Sequence, residues 1–287
     1  MSGGEDTRMG HPSPYTWNLG GKLVTVRSPL VMGILNATPD SFHAASRVDV
    51  DEALRMGERM LKEGAAILDI GGASSRPGAA EVSEAEELKR VLPVIEALHR
   101  RFPEAWLSID TYRSAVAREA VAAGALMVND IGAGLRDADM LSTVAALRVP
   151  YVLMHMQGTP ATMQAAPTYT DVAAEVTRFL SERLNTCRAA GIADVIVDPG
   201  FGFGKTTEHN YTLLRELQRL IALGVPVLAG LSRKRMVNEV LGIKADQALN
   251  GTTVLNTIAL LKGASILRVH DVKEAVEVVA LVKSYRG

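Results

Sequence analysis

The chain has 287 residues, of which 47% are hydrophobic and 22% are charged. This balance provides enough apolar residues for a large core and excludes a wholly disordered chain. The sequence contains 31 Lys and Arg residues against 32 Asp and Glu residues, a net charge of −1. A nucleic-acid-binding protein usually carries a basic excess, so we expect no nucleic-acid partner.

The sequence carries no signal for export or for a membrane. Cys187 is the single cysteine, so no intramolecular disulfide can form. No run approaches the roughly 18 apolar residues that a spanning helix needs. Residues 1–14 are polar and predict a flexible tail rather than a secretory signal. We therefore expect a soluble cytoplasmic protein with no membrane partner.

The elements recur in a regular order along the chain. Residues 15–28 predict a β-hairpin, with Gly20 and Gly21 at its turn. Eight short apolar runs follow, and they are continuous, as strands buried on both faces of a parallel sheet are. They span residues 31–35, 66–70, 106–109, 126–128, 151–154, 195–197, 225–229 and 265–269. Helical patterns follow at residues 49–63, from Ser83 onward, and at 112–123, 137–147, 172–190, 210–223 and 272–285.

Eight strand–helix units in about 255 residues predict one α/β domain, a (β/α)₈ TIM barrel over residues 29–284. The hairpin is expected to cover the bottom of this barrel. A doubly wound open sheet is the alternative.

Polar residues follow the apolar runs, where a barrel would bring them to one face. Asp110 alone could cap a helix, and Asp198 before Pro199 could start a turn. Taken together, the polar residues at all eight strand ends predict an active site. Helix capping alone would not require charged groups, amides and imidazoles to lie together at one end of the barrel. The residues are Asn36, Asp69, Asp110, Asn129, Asp130, His155, Asp198, Ser232, Arg233, Lys234, Arg268 and His270.

Several motifs resemble those of the dihydropteroate synthase family, in the family's order. Residues 32–42 (MGILNATPDSF) and 69–78 (DIGGASSRPG) are similar to its two signatures. The further matches are SIDT at 108–111, VND at 128–130, MHMQGTP at 154–160, DPGFGFGK at 198–205, SRK at 232–234 and RVHD at 268–271. The resemblance implies a homodimeric barrel that joins 6-hydroxymethyl-7,8-dihydropterin diphosphate to p-aminobenzoate and releases pyrophosphate.

The resemblance also implies a role for each matching residue. Arg268, His270, Asp110 and Lys234 would be catalytic, and Asn36 would bind Mg²⁺, the one implied cofactor. The implied pterin and diphosphate site consists of Ser75, Asp110, Asn129, Met154, Asp198, Lys234, Arg268, Val269 and His270. The implied p-aminobenzoate site consists of Ser75, Arg76, Pro77, Phe203, Ser232 and Lys234.

The chain departs from the family pattern in its first loop. Residues 43–47 read HAASR, where the family usually has an Asp-Gly-Gly stretch. This loop therefore lacks the Asp and the glycine hinge of the family, and a loop that closes over substrates needs such mobility. The altered loop makes a non-catalytic pterin-binding homologue one alternative to the synthase. A corrinoid-dependent methyltransferase acting on methyltetrahydrofolate is another, because it uses a similar pterin-binding barrel. The methyltransferase would not need the Arg268 and His270 motif.

Overall fold

The chain closes a parallel sheet into a barrel behind an N-terminal hairpin. The computed structural model describes residues 14–37, 47–73, 82–159, 162–163 and 167–287. The hairpin pairs β1 (Tyr15–Leu19) with β2 (Lys22–Val26). The parallel strands are β3 (Leu30–Asn36), β4 (Ile67–Gly71), β5 (Trp106–Asp110), β6 (Met127–Asp130), β7 (Tyr151–Met154), β8 (Val195–Asp198), β9 (Leu228–Ala229) and β10 (Ile266–Val269).

The eight parallel strands lie in the order β8-β7-β6-β5-β4-β3-β10-β9. A parallel bridge between Val197 and Val227 joins the two ends of this order. The predicted TIM barrel is thus confirmed, and the open-sheet alternative is wrong. The seventh strand is shorter than the predicted residues 225–229, because Pro226 has no N–H to donate to a neighbouring strand.

Helices surround the barrel. They are α1 (Arg47–Lys62), α2 (Glu84–Arg101), α3 (Ser114–Ala122), α4 (Met140–Leu147), α5 (Val172–Ala189), α6 (Thr207–Arg215), α7 (Gln218–Ile221), α8 (Arg235–Leu241), α9 (Leu249–Leu261) and α10 (Val272–Arg286). The predicted helix over residues 210–223 is two helices, α6 and α7. The helical patterns of the sequence do not include α8 and α9. In α9, Gly251 and several threonines lower the helix propensity, but a Cβ at Gly251 would lie 2.4 Å from Val237 of α8, so glycine permits close helix packing.

The hairpin covers the bottom of the barrel, as expected. Trp17, Leu19 and Val26 are buried in one cluster with the lower side chains inside the barrel, which are Met32, Ile67, Met127, Val152, Ile196, Leu228 and Ile266. Asp194 accepts a hydrogen bond of 2.7 Å from the backbone N–H of Asn18. The hairpin therefore excludes water from the end of the barrel opposite the predicted site.

Side chains inside the barrel repeat with a period of two along each strand. Two residues beyond Ile67 comes Asp69, two beyond Met127 comes Asn129, and two beyond Ile266 comes Arg268. The lower layer is apolar and the next layer is polar. The fold thus places a polar site at the carboxyl ends of the strands, above an apolar layer of side chains.

Candidate active site at the carboxyl ends of the strands

Arg268 of β10 joins two carboxylates from neighbouring parts of the barrel. Its Nε donates to Oδ2 of Asp69 at 2.6 Å, and its Nη2 donates to Oδ2 of Asp110 at 2.6 Å. The same Oδ2 of Asp69 accepts from Nδ2 of Asn129 at 2.9 Å. Four strands, β4, β5, β6 and β10, therefore meet in one hydrogen-bonded cluster.

Asp110 has an unusual acidity in this cluster. Burial raises its pKa to about 7, against the opposing attraction of Arg268. The negative charge of Asp69 raises the pKa of Asp110 further. The carboxyl of Asp110 is therefore a weaker acid than an ordinary aspartate side chain.

Asp198 and Lys234 lie across the mouth from this cluster. Oδ1 of Asp198 accepts from the backbone N–H of Gly200 at 2.7 Å, and burial raises the pKa of this carboxyl. Lys234 donates from Nζ to the backbone carbonyl of Phe201, and Nζ lies 4.7 Å from the centre of the Phe203 ring. Burial lowers the pKa of Lys234 to about 8. Met154 is buried beside Asp198, with which it pairs in register between β7 and β8.

Lys205 fixes the glycine-rich loop that carries the two phenylalanines. Its buried ammonium donates to the carbonyls of Gly200 at 2.9 Å and Phe203 at 3.0 Å, and lies 3.0 Å from Nδ1 of His155. Burial lowers the pKa of His155 to about 3, so this ring is neutral and accepts the bond. Burial also lowers the pKa of Lys205 to about 7.

Ser232 and His270 lie at the rim. Oγ of Ser232 lies 3.0 Å from Nδ1 of His270 and accepts from the His270 backbone N–H at 3.2 Å. The intervening Arg233 points away, because its guanidinium donates to both oxygens of Asp271, at 2.9 and 2.6 Å. Arg233 therefore stabilises the loop and does not face the site.

The remaining predicted residues differ in their placement. Val269 is fully buried in the outer core between strands and helices, so its side chain does not face the mouth. Asn36 ends β3 at the mouth and is half-buried. Within the described ranges, no three acidic, His or Cys side chains are grouped to hold a metal ion. Ser75, Arg76, Pro77 and residues 43–46 lie outside the described residues.

Asp69 and Lys205 are residues of the site to which the sequence assigns no role. In the sequence, Asp69 is only a polar strand end, and Lys205 is only the last residue of the DPGFGFGK motif. The signal for both is their place inside motifs at strand ends. A role cannot be assigned from that signal, because their partners are distant along the chain.

Comparison with known proteins gives one consistent result. The model of the family "Pterin binding enzyme" matches residues 32–270. The dihydropteroate synthase of Haemophilus influenzae is 50% identical over 88% of this chain and 92% of its own length, and that of Escherichia coli K12 is 46% identical over 92% and 94%. A Yersinia pestis dihydropteroate synthase, solved with a sulfonamide drug complex, superposes with a TM-score of 0.89 at 46% identity, covering 95% and 99% of the two chains.

A second solved structure is informative for ligands. The dihydropteroate synthase of Xanthomonas albilineans in complex with 7,8-dihydropteroate gives a TM-score of 0.85 at 45% identity, covering 95% of this chain and 99% of that chain. The chain therefore belongs to the dihydropteroate synthase family of pterin-binding enzymes. The likenesses favour the synthase over the methyltransferase alternative.

Proposed function

We propose that the protein condenses 6-hydroxymethyl-7,8-dihydropterin diphosphate with p-aminobenzoate, giving 7,8-dihydropteroate and pyrophosphate in folate biosynthesis. The observation that carries this proposal is the set of hydrogen-bond acceptors gathered with a cation in one mouth. Asp110, Asn129 and Asp198 provide the acceptors, and Arg268 provides the cation. The relatives support it, since the Xanthomonas albilineans synthase was solved with 4-aminobenzoic acid and, in another structure, with 7,8-dihydropteroate.

The pterin edge matches the acceptors of this mouth. A pterin presents a ring N–H beside an exocyclic amine, and one carboxylate can accept from both. We assign that role to Asp198, with Asp110 and Asn129 reading the remaining donors. Lys234 donates to the acceptor atoms of the pterin, and Met154 packs on its ring. A heterocycle with the opposite pattern leaves buried groups unpaired and is rejected strongly.

The diphosphate lies toward the rim in this proposal. Within the described ranges, Nη1 of Arg268 has no hydrogen-bond partner and is available to a phosphate oxygen. His270 is exposed and offers a further donor. Mg²⁺ fits the oxygen chemistry at Asn36, because this ion keeps several waters and is held by few protein ligands together with substrate phosphates. When bound, Mg²⁺ would supply positive charge against the phosphate oxygens.

The reaction then needs little proton transfer. The bond between the pterin methylene carbon and the diphosphate oxygen breaks, and its electron pair leaves with the pyrophosphate, stabilised by Arg268 and His270. The dihydropterin ring delocalises the methylene cation, and the ionised carboxylate of Asp110 stabilises it electrostatically. The neutral aniline nitrogen attacks the carbon and then loses its proton to solvent. Phe203, Ser232 and Lys234 would border p-aminobenzoate, together with Ser75, Arg76 and Pro77.

The decisive assay supplies both substrates with Mg²⁺ and measures pyrophosphate release and dihydropteroate formation. We expect both products in equal amounts. The variant Asp198→Asn should bind the pterin weakly, while Asp137→Asn, a change outside the mouth, should remain active. Pterin binding without pyrophosphate release would instead identify a non-catalytic pterin-binding homologue.

The metal role of Asn36 has its own test. Asn36→Ala should raise the Mg²⁺ concentration for half-maximal activity by about tenfold or more, as loss of a supporting ligand does. An unchanged Mg²⁺ requirement would remove Asn36 from the metal site.

We further propose that the protein is a cytoplasmic homodimer. Leu241 of α8 and Val254 and Ile258 of α9 are exposed apolar side chains, at 52, 50 and 36%. Such a patch is typical of an interface, and a second copy is its proposed occupant, as the family resemblance implies. Ile258→Glu should yield monomers in analytical ultracentrifugation, whereas Leu281→Glu on α10 should not.

No helix of the described ranges has the length and apolarity to cross a bilayer. Fractionation of cells that express the full chain tests the location.

A further inference from the structure

Asp69 is a buried carboxylate for which the proposed reaction has no direct use. It lies in the polar layer inside the barrel, and its side chain is fully buried. Its Oδ2 accepts from both Asn129 and Arg268, at 2.9 and 2.6 Å. Since these two donors belong to the proposed contact surface for the substrate, Asp69 acts on the ligand only through them.

The bond to Asp69 decides which end of the Asn129 amide faces the mouth. An amide has one donor end and one acceptor end, and they differ only in orientation. The donor end, Nδ2, is occupied by Asp69. The acceptor end, Oδ1, has no hydrogen-bond partner in the part of the chain that the structure describes. Asn129 therefore offers the mouth an acceptor, like the carboxylates of Asp110 and Asp198.

The bond to Asp69 also holds the guanidinium of Arg268 from below. A planar guanidinium that donates through Nε and Nη2 has both its position and its plane fixed. When a ligand N–H engages Asp110, Asp69 remains as a counter-ion for Arg268. The guanidinium of Arg268 thus stays in place while the carboxylate of Asp110 accepts from the substrate.

We propose that Asp69 is a positioning and specificity-determining residue, which selects donor-bearing heterocycles by fixing the acceptor end of Asn129 toward the mouth. This inference rests on the proposed function, because it concerns how the same site recognises the pterin. The exocyclic amine of the pterin has two hydrogens: one is directed to Asp198, and the other is the donor that we assign to Oδ1 of Asn129. The expected selectivity is therefore against an analogue that presents an acceptor in place of this amine.

Asp69 also has an electrostatic consequence that a merely structural residue would not have. Four charged groups act on the carboxyl of Asp110, namely Arg268 of β10, Asp69 of β4, Glu87 of α2 and Asp130 of β6. Arg268 lowers the pKa of Asp110, and the three carboxylates raise it. Removal of the Asp69 charge must therefore lower the pKa of Asp110 from about 7.

Two variants separate the two effects. Asp69→Asn keeps an acceptor oxygen but loses the charge. Asp69→Ala loses both and frees Asn129 to turn its Nδ2 toward the mouth. Ser108→Ala is the matched control, because Ser108 is equally buried on the next strand, and its Oγ has no partner within the described ranges.

The first measurement is ligand discrimination. The probes are 6-hydroxymethyl-7,8-dihydropterin diphosphate and the analogous lumazine, in which an oxo group replaces the exocyclic amine, compared by their dissociation constants. We expect discrimination to fall by at least about tenfold in Asp69→Ala, the value of one hydrogen-bond mismatch, and to stay unchanged in Ser108→Ala. Equal discrimination in Asp69→Ala and the parent protein would overturn the proposal.

The second measurement is the pH profile of kcat/KM. Its acidic limb should lie at lower pH in Asp69→Asn than in the parent protein, because ionised Asp110 is needed. An acidic limb that does not move would overturn the proposal, and this variant decides the matter if Asp69→Ala does not fold. Failure of the proposed function would look different, since the parent protein itself would then release no pyrophosphate.

Discussion

Replacement of Arg268 by alanine tests the arrangement of charges on which the site depends. The change leaves Asp69 and Asp110 buried together without their shared cation. Loss of one partner of a buried ion pair costs about 3–5 kcal/mol, because an uncompensated charge stays buried. The Arg268 side chain is 21% exposed, so solvent compensates in part and we expect a loss of about 3 kcal/mol near neutral pH.

The loss should depend on pH in a defined direction. The pKa of Asp110 is about 7 in the folded protein and 3.8 in an ordinary carboxyl. When the pKa of a carboxyl is higher in the folded than in the unfolded state, its contribution to stability is fully present at a pH below the unfolded-state pKa. That contribution is lost as the pH rises through the folded-state pKa. Without Arg268 the folded pKa rises further, and each additional unit costs about 1.4 kcal/mol once the carboxyl must ionise. The deficit of Arg268→Ala should therefore be larger at pH 8.5 than at pH 5.5.

Urea unfolding of the parent protein, Arg268→Ala and Arg268→Lys at pH 5.5, 7 and 8.5 measures this effect. Arg268→Lys keeps the charge but cannot bridge two carboxylates with a planar fork, so its deficit should be smaller and less dependent on pH. Turnover of Arg268→Ala should fall by about 10³-fold, as loss of an arginine at a reacting phosphate does, while pterin binding stays detectable. A stability deficit that is the same at all three pH values would refute the charge argument.

Three further changes test the loop and the floor of the barrel. Gly200→Ala should lower kcat/KM by more than about tenfold. The φ angle of Gly200 is +66°, and a Cβ there would lie 1.9 Å from the carbonyl oxygen of His155. Unchanged kinetics would contradict the packing of this loop. Lys205→Met leaves two buried carbonyls without donors, which costs about 1–3 kcal/mol of stability for each carbonyl. The change should raise the KM for p-aminobenzoate more than it lowers kcat. An unaltered KM would show that the loop does not need the ammonium. Trp17→Ala should cost about 3–5 kcal/mol in thermal or urea unfolding but leave kcat at 25 °C unchanged, because the hairpin lies at the opposite end of the barrel.

The fold could be predicted from the sequence because its strands are buried on both faces. In a chain of this length, continuous apolar runs that alternate with helical patterns are compatible with very few folds. The helices α8 and α9 could not be predicted from the sequence, because packing rather than helix propensity stabilises them. Gly251 weakens the helix signal in the sequence and at the same time permits the close contact with Val237.

The composition of the site could be predicted, but its internal bonds could not. Parallel strands bring their carboxyl ends together, so Asp69, Asp110 and Arg268 were expected in one mouth. The pairing of each carboxylate with a nitrogen depends on the register of β4, β5 and β10 and on the closure of the barrel. This closure brings together Asp69 and Arg268, which are 199 positions apart in the chain. The same applies to Lys205, whose role follows from the carbonyls around its ammonium and not from the motif itself.

The balance of buried charge argues for a metal ion with the diphosphate. Among the described residues of the mouth, the carboxylates Asp69, Asp110 and Asp198 face the cations Lys205, Lys234 and Arg268, so the formal charges cancel. Lys205 already donates to its own loop, and Arg268 is shared by two carboxylates. A diphosphate ester brings about two to three negative charges at neutral pH. The described part of the mouth thus has no surplus positive charge against the diphosphate, and this balance supports the Mg²⁺ requirement that we propose.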